Sequence, residues 1–435
     1  MFTDFIHILQ LEEYQLIRFI KWSLHNPFGK KLENKKPLIW TEKARFIAVV
    51  AVVWYLIIGI GILERLGVLG VIIDTGLMFL PWVFICLAII TRKPYEIVNR
   101  QLTIYKTRKK ILSLKSRGLK IIGITGSYGK TTTKEFLYQI LKTHFKVLRT
   151  PESYNTLFGV AKVIDIELDE NYNFFICEMG AYKIGEIKEL CRMIPPDYAI
   201  LTGINEQHLE RFKKIENTIK AKFELIEAVK NKAQCLLNRD CRIILDNYQI
   251  YTSDPMFYSL GDFKIKNPFL IGKANLTNAT GAGKMALLLG VSLNNVRIVL
   301  NTLKPIPHRL EIKKLDNDWI ILDDSYNSNV DGFKQALEAL ANFKNHTRII
   351  VTPGIVELGN KTLEIHQTLG KLVNNICDYA VLVGKNERTE MLASTIKNKG
   401  KVIFIKSIKD LNETVANLEI KPPVILIEND LTDNY

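Results

Sequence analysis

The sequence predicts an α/β protein of two doubly wound units behind an N-terminal helical hairpin. Three observations carry this reading. A short apolar run, Leu119–Thr125, ends in a glycine-rich turn and leads into a helical pattern over Lys130–His144. Apolar strand-like runs then alternate with helical patterns, and a second such series starts beyond Pro305 and Pro307. Ahead of both stands an uncharged stretch, Phe46–Leu63. Strand and helix in alternation predict parallel sheets covered on both faces.

The uncharged stretch reads FIAVVAVVWYLIIGIGIL, 18 residues. As a helix it is about 27 Å long, close to the hydrocarbon thickness of a bilayer. A second apolar run, Leu66–Ile90, is interrupted only by Asp74, with Glu64 and Arg65 between the two runs. The pattern predicts spans at 46–63 and 66–90; a buried hairpin in a soluble domain is the alternative. Lys30, Lys31, Lys35, Lys36, Lys43 and Arg45 precede the first run, and Arg92, Lys93, Arg100, Lys106, Arg108, Lys109 and Lys110 follow the second. Such flanks predict a multi-pass protein of the cytoplasmic membrane, with membrane lipid as a partner and the remaining domains in the cytoplasm. Asp74 is then expected as a solvated residue at the outer turn. Residues 2–24 put Phe5, Leu9, Leu16, Phe19 and Ile20 on one helical face. That pattern suits an interfacial helix and a helix packed on the soluble body equally.

Charge supports this division. The chain carries a net charge of +14. Residues 1–118 hold 18 Lys and Arg against 8 Asp and Glu, leaving 41 against 37 for the remainder. The basic excess therefore sits in the most apolar region, which argues against a nucleic-acid partner. The six cysteines form no CxxC pair, which argues against a zinc ribbon or thioredoxin-like site and suits a reducing compartment.

In the first α/β series, strands are expected at Leu119–Thr125, Phe174–Cys177, Tyr198–Leu201, Ala233–Leu237 and Phe269–Ile271. Helices are expected at Glu216–Lys230 and Thr277–Leu289. The second series offers strands at Trp319–Leu322, Arg348–Val351, Tyr379–Val383, Val402–Ile405 and Val424–Ile427. The expected organisation is a membrane region over 1–118, a central domain over 119–304 and a C-terminal Rossmann-like domain over 305–435.

Between the first strand and its helix lies Gly123-Ile124-Thr125-Gly126-Ser127-Tyr128-Gly129-Lys130-Thr131-Thr132. Glycines let a backbone wrap a phosphate, and the N–H groups of a helix N-terminus point at it. Lys130 is placed to reach the β- and γ-phosphates, and the Thr131 hydroxyl to ligate Mg²⁺. This reads as a P-loop ATPase domain, although a strict Walker pattern wants glycine where Ile124 stands.

That departure resembles the ATP loop of the muramyl (Mur) ligases, most of all their D-alanyl-D-alanine-adding branch. SYNTLFGV at 153–160, FICEMGAYKIGEI at 175–187, GINEQHLERFKKIENTIKAKFEL at 203–225 and CLLNRD at 235–240 are similar to successive family motifs. So are GKANLTNATGAGKMALLLGV at 272–291, IPHRLEI at 306–312, DDSYNSN at 323–329 and GIVELGNKTLEIH at 354–366.

The resemblance implies an ATP-dependent ligase that joins a carboxylate to an amine through an acyl phosphate. It implies that Gly126, Gly129, Lys130, Thr131 and Thr132 take the nucleotide phosphates. Thr131, Glu178 and His208 would hold Mg²⁺, joined by Lys222 where that lysine is carbamylated; a solvated lysine on a charged helix is the alternative. Asn275 and Asn278 would lie on the adenine side, with Ala274 standing where the family has histidine. Arg309 would reach phosphate from the linker, and Asp324 and Asn327 would come to the nucleotide with the C-terminal domain. Glu357 and His366 match motif letters without an assigned role.

The family's usual UDP-sugar-binding N-terminal domain has no counterpart in residues 1–118. The expected function is therefore a membrane-anchored ligase acting on a soluble or lipid-linked cell-wall peptide precursor, with an amino acid or dipeptide as the amine. A membrane polyglutamate-type ligase and a non-enzymatic nucleotide-binding scaffold are the alternatives.

Overall fold

The computed structural model describes residues 2–12, 14–29, 38–151, 154–205, 212–315, 318–326, 328–356, 358, 361–418 and 421–428. His208, Asn327 and Glu357 lie outside the described residues. The chain forms two compact units, one over Met1–Leu102 and one over Thr103–Leu431.

The first unit is helical. Helices Phe2–Leu11 and Leu16–His25 are separated by a turn at Tyr14, whose φ is 60°. Phe5, Ile6, Leu9 and Phe19 are fully buried with Ala44, Ile47, Ile85 and Ala88. Phe5 meets Phe19 and Trp22 edge to face at 6.3 and 5.9 Å. The apolar face over residues 2–24 thus closes the unit's own core.

The expected hairpin needs correction. Helix Glu42–Leu77 begins on a Thr41 cap and runs straight through Glu64 and Arg65. Its break is at Gly67, with φ 51° and ψ −125°, a conformation that glycine adopts without a Cβ clash. Beyond it the chain turns back, so that a Cβ on Gly70 would lie 2.8 Å from the Ile62 carbonyl oxygen. Asp74 is consequently no solvated turn residue: it packs against Gly59 and accepts a hydrogen bond from the Tyr55 hydroxyl at 3.1 Å.

The second run does not form one span. It breaks at Met78–Leu80, and the next helix, Pro81–Lys115, reaches Arg92 and Lys93 after ten apolar residues, too few to cross a bilayer. Among the described residues one helix, Glu42–Leu77, is long and apolar enough to cross a membrane, and it is itself kinked. The multi-pass placement in the cytoplasmic membrane is overturned on this ground.

The second unit carries two six-stranded sheets. The first consists of β1 (Lys120–Thr125), β2 (Val147–Arg149), β3 (Phe174–Glu178), β4 (Tyr198–Leu201), β5 (Cys235–Asn238) and β6 (Met256–Tyr258). All pair in parallel, in the order β2-β3-β1-β4-β5-β6. Buried clusters cover both faces, which is why β1 and β3 are nearly continuous apolar runs. Phe269–Ile271 is no strand. Asn267 donates to the Leu300 and Leu303 carbonyls and accepts from the Phe269 N–H, turning the chain there.

The second sheet is built from β7 (Glu311–Lys314), β8 (Ile320–Asp324), β9 (Thr347–Thr352), β10 (Tyr379–Val383), β11 (Val402–Ile405) and β12 (Pro423–Glu428). Its order is β11-β10-β9-β12-β8-β7, parallel except for β7, which runs antiparallel to β8. Its register sets Asp324 beside Glu428 on neighbouring strands.

The last turns of helix Pro81–Lys115 dock on the first sheet's helices. Ile104, Ile111 and Leu114 join the buried cluster there. Lys110 Nζ donates to the Ile164 and Asp165 carbonyls at 2.6 and 3.0 Å, at the end of helix Leu157–Ile166. A cation suits a helix C-terminus, where carbonyls lack intrahelical partners. Lys115 bonds the Pro195 carbonyl at 2.8 Å and the Asp197 carboxylate at 2.9 Å.

Candidate active site

β1 lies between β3 and β4, so the chain reverses its direction of winding at this strand, the place where open α/β sheets bind ligands. The loop leaving β1 there is tight. A Cβ on Gly126 would fall 2.1 Å from Thr202 Oγ1. One on Gly129, whose φ is 78°, would fall 2.5 Å from Asn278 Oδ1. The Ser127 N–H donates to the Gly203 carbonyl at 2.7 Å, fastening the loop to the end of β4. Lys130 Nζ folds over this loop and donates to the Gly126 and Ser127 carbonyls at 2.9 and 3.2 Å. Burial lowers the pKa of Lys130; Glu178 opposes that shift and Arg309 adds to it.

Glu178 ends β3 and is buried to 1% exposure. One oxygen, Oε2, accepts from Thr131 Oγ1 at 2.9 Å and from Lys134 Nζ at 3.2 Å. The other accepts from Asn155 Nδ2 at 3.3 Å. Its N–H donates to Thr150 Oγ1 at 3.1 Å. A buried carboxylate beside a threonine hydroxyl is a hard-oxygen donor set, which fits Mg²⁺. Lys134, fully buried on the helix after the loop, escaped the sequence reading. A charged residue at a core-facing helical position was the available signal.

Lys222 lies on helix Ile215–Ala228 and is 4% exposed, so it is not a solvated lysine. Nζ donates to the Ala181 carbonyl at 3.3 Å and stands 5.7 Å from the centroid of the Phe212 ring. Burial brings its pKa down to about 7, with Lys130 adding to the shift and Glu186, Glu178 and Glu224 opposing it. The amine is therefore substantially neutral at physiological pH.

The remaining residues come from the linker and the second sheet. Arg309 lays its guanidinium 4.2 Å from the Tyr326 ring centroid, and burial lowers its pKa against the pull of Asp324 and Glu178. Asn275 Nδ2 donates to the Arg309 carbonyl at 3.2 Å. The Leu310 N–H donates to Asp324 Oδ1 at 3.0 Å. Burial pushes Asp324 up to about 7, with Arg309 opposing. Six expected nucleotide residues, Gly129, Thr132, Asn275, Asn278, Arg309 and Asp324, line one pocket. Glu428 and Tyr128 line it too, and neither was singled out from the sequence.

An adjoining pocket of about 360 Å³ is bounded by Asn238, Lys273, Ala274, Thr277 and Asn278. Across the gap, Asn205 Nδ2 bonds Asn329 Oδ1 at 2.9 Å and Asp331 Oδ2 at 3.1 Å, tying the two sheets' domains together. His366 stands apart as a buried structural residue: Nε2 accepts from the Ile355 N–H at 2.9 Å, and Nδ1 meets the Thr362 carbonyl at 2.6 Å.

The Mur ligase middle domain profile matches residues 124–267, and the Mur ligase glutamate ligase domain profile matches residues 308–427. The chain belongs to the Mur ligase family. As a member it is an ATP-dependent ligase that forms a C–N bond and uses Mg²⁺. The scaffold alternative falls with that.

Among similar proteins, the UDP-N-acetylmuramoyl-tripeptide–D-alanyl-D-alanine ligase of Buchnera aphidicola is 28% identical over 71% of this chain and 72% of its own length. The enzyme of that name from Bacillus subtilis is 27% identical over 60% of this chain, which spans 62% of the Bacillus protein. The crystal structure of MurF ligase from Thermotoga maritima in complex with ADP is 25% identical. It covers 76% of this chain and 80% of its own, with a TM-score of 0.68. The names of these ligases give a UDP-linked precursor, not a lipid-linked one, and nothing in them supports the expected membrane lipid partner or membrane anchoring.

Proposed function

We propose that this ligase adds D-alanyl-D-alanine, or a similar amine, to the peptide carboxylate of a UDP-linked peptidoglycan precursor. The observation that carries the reading is the convergence of Lys130, Thr131, Glu178 and Lys222 at the end of β1 and β3, with Gly129 and Thr132 of the same loop lining the pocket of Asn275, Asn278 and Arg309. The names and similarity of the D-alanyl-D-alanine ligases support the substrates.

In this reading the precursor carboxylate attacks the γ-phosphate of ATP, ADP leaves, and an acyl phosphate forms. The amine attacks that carbonyl, and the tetrahedral intermediate expels phosphate. Lys130 leaves its loop carbonyls and turns to the transferring phosphoryl group, where its charge counts most in the transition state. Thr131 and Glu178 hold Mg²⁺, which supplies charge neutralisation when bound. Lys222, as a carbamate, and His208 complete the metal side of the site. Arg309 reaches phosphate from the linker, while Asp324 and Asn327 approach the nucleotide from the C-terminal domain. Alignment of the two substrates provides much of the rate.

The domain division over 119–304 and 305–435 belongs to the same proposal, with the cleft between the two as the reaction site. The test is phosphate release from ATP, screened over peptide-precursor carboxylates and amines. Release that requires both UDP-linked tripeptide and D-alanyl-D-alanine is expected. Release with glutamate and a growing polyglutamate product would replace this reading with the polyglutamate one.

A further inference from the structure

Two acidic residues meet at the floor of the nucleotide pocket. Asp324 ends β8 and Glu428 ends β12, and the strand register sets them side by side. Both line the pocket that Gly129, Asn278 and Arg309 also line. Glu428 is fully buried. Oε1 accepts from the Ser328 hydroxyl, while the buried Oε2 has no donor among the described residues. An ionised carboxylate has only acceptor oxygens, so Oε2 and the neighbouring Asp324 carboxylate suit each other only with a proton between them. Among the described residues no cation is paired with Glu428, and the Arg309 charge acts on Asp324. Asp324 already has work to do, since its Oδ1 accepts the Leu310 N–H and so fixes the linker next to Arg309.

We propose that Glu428 is a positioning residue of the nucleotide site: a neutral carboxyl that donates its proton to Asp324 and thereby holds Asp324 on the Arg309–Leu310 linker. The inference rests on the nucleotide reading of this pocket. The other groups beside the pair are Asp323 on β8, Tyr326 over Arg309, and Tyr128 from the phosphate loop. Asp323 is acidic and favours keeping the proton, while Arg309 opposes it. An arriving nucleotide draws Arg309 toward phosphate and adds negative charge beside the pair. The bound state therefore holds protons more tightly than the free state. By linkage, affinity is greatest below neutrality and falls as pH rises through the titration of the pair, by up to about tenfold per pH unit per proton.

The experiment measures ADP binding by calorimetry from about pH 6 to about pH 8, in wild type and in Glu428→Gln. The amide keeps a donor for Asp324 and an acceptor for Ser328 but cannot itself titrate, and without a second carboxyl beside it Asp324 stays ionised across this range. The ratio of wild-type to variant affinity for ADP should fall by roughly threefold or more from the acid end to the alkaline end. Parallel pH profiles for the two proteins would overturn the proposal. Failure of wild type to bind ADP at any pH would remove the nucleotide reading itself, a distinct result. Should Glu428→Gln not fold, infrared difference spectra of wild type decide. A neutral-carboxyl C=O band that changes on adding ADP at neutral pH supports the pair, and no such band overturns it.

Discussion

Thr131 Oγ1 and Lys134 Nζ reach the same oxygen of Glu178, at 2.9 and 3.2 Å, and the lysine side chain there is fully buried. The cation thus stabilises a carboxylate that would otherwise be costly to bury, and in doing so holds it beside the metal-side hydroxyl. Two roles, folding and chemistry, converge on Glu178 and can be separated by substitution.

Glu178→Ala should lower stability by roughly 3 kcal/mol, because it removes the carboxylate that the buried Lys134 Nζ meets at 3.2 Å. The double variant Glu178→Ala with Lys134→Met should recover most of that loss in thermal unfolding and recover no ligase activity. Equal instability of the single and double variants would show that the pair is not what the core needs.

Lys130→Ala should leave the fold intact and reduce ATP-dependent ligation by roughly 10²-fold or more, the scale of losing one charged donor to a transition state. Among the described residues Nζ bonds the carbonyls of its own loop, and Glu178 keeps Lys134 as its cation when Lys130 is removed. Unchanged turnover by the purified variant would take the loop out of the mechanism.

Asn205→Ala should act on domain closure. Its amide bridges to Asn329 and Asp331, which start the first helix of the C-terminal domain. Losing two hydrogen bonds between domains, about 1 kcal/mol each, should raise KM for ATP by roughly ten- to thirtyfold with less effect on kcat. A fall in kcat alone, at constant KM, would argue against a role in closure.

The legible parts of this molecule were those with local, repetitive signals. Parallel strands buried on both faces read as apolar runs, and Tyr198–Leu201, Tyr379–Val383 and Val402–Ile405 were placed to the residue. The phosphate loop was legible because its glycines and lysine lie within ten residues. Short edge strands such as Val147–Arg149 and Met256–Tyr258 were not, since three residues carry no period. The N-terminal hairpin misled because apolar length says nothing of where a helix breaks: the reversal came at Gly67, and the second run broke at Met78–Leu80. Glu428 and Asn205 were invisible for another reason. Their partners lie 104 and 124 or more residues away, joined only by sheet register and domain contact.

The pH dependence of Lys222 gives the most discriminating test of the site. An ordinary lysine, with a pKa near 10.4, is neutral in only about one molecule in 2,500 at pH 7. Lys222, brought down to about 7 by burial and by Lys130, is neutral in about half. Only the neutral amine attacks carbon dioxide: the N–C bond forms, a proton leaves, and an anionic carbamate replaces a cation. The neutral fraction, and with it carbamate formation, therefore rises as pH increases through about 7. Ligase activity measured with carbon dioxide present should climb from about pH 6 to about pH 8, and stripping carbon dioxide should depress it across that range. Lys222→Ala should lose most activity, and a short carboxylate such as acetate or formate should partly restore it by standing in for the carbamate anion. Labelled bicarbonate should give wild type, and not the variant, a carbamate carbon signal in ¹³C NMR. Full activity of Lys222→Ala, or a wild-type spectrum without that signal under conditions of turnover, would reduce Lys222 to a buried amine bonded to the Ala181 carbonyl.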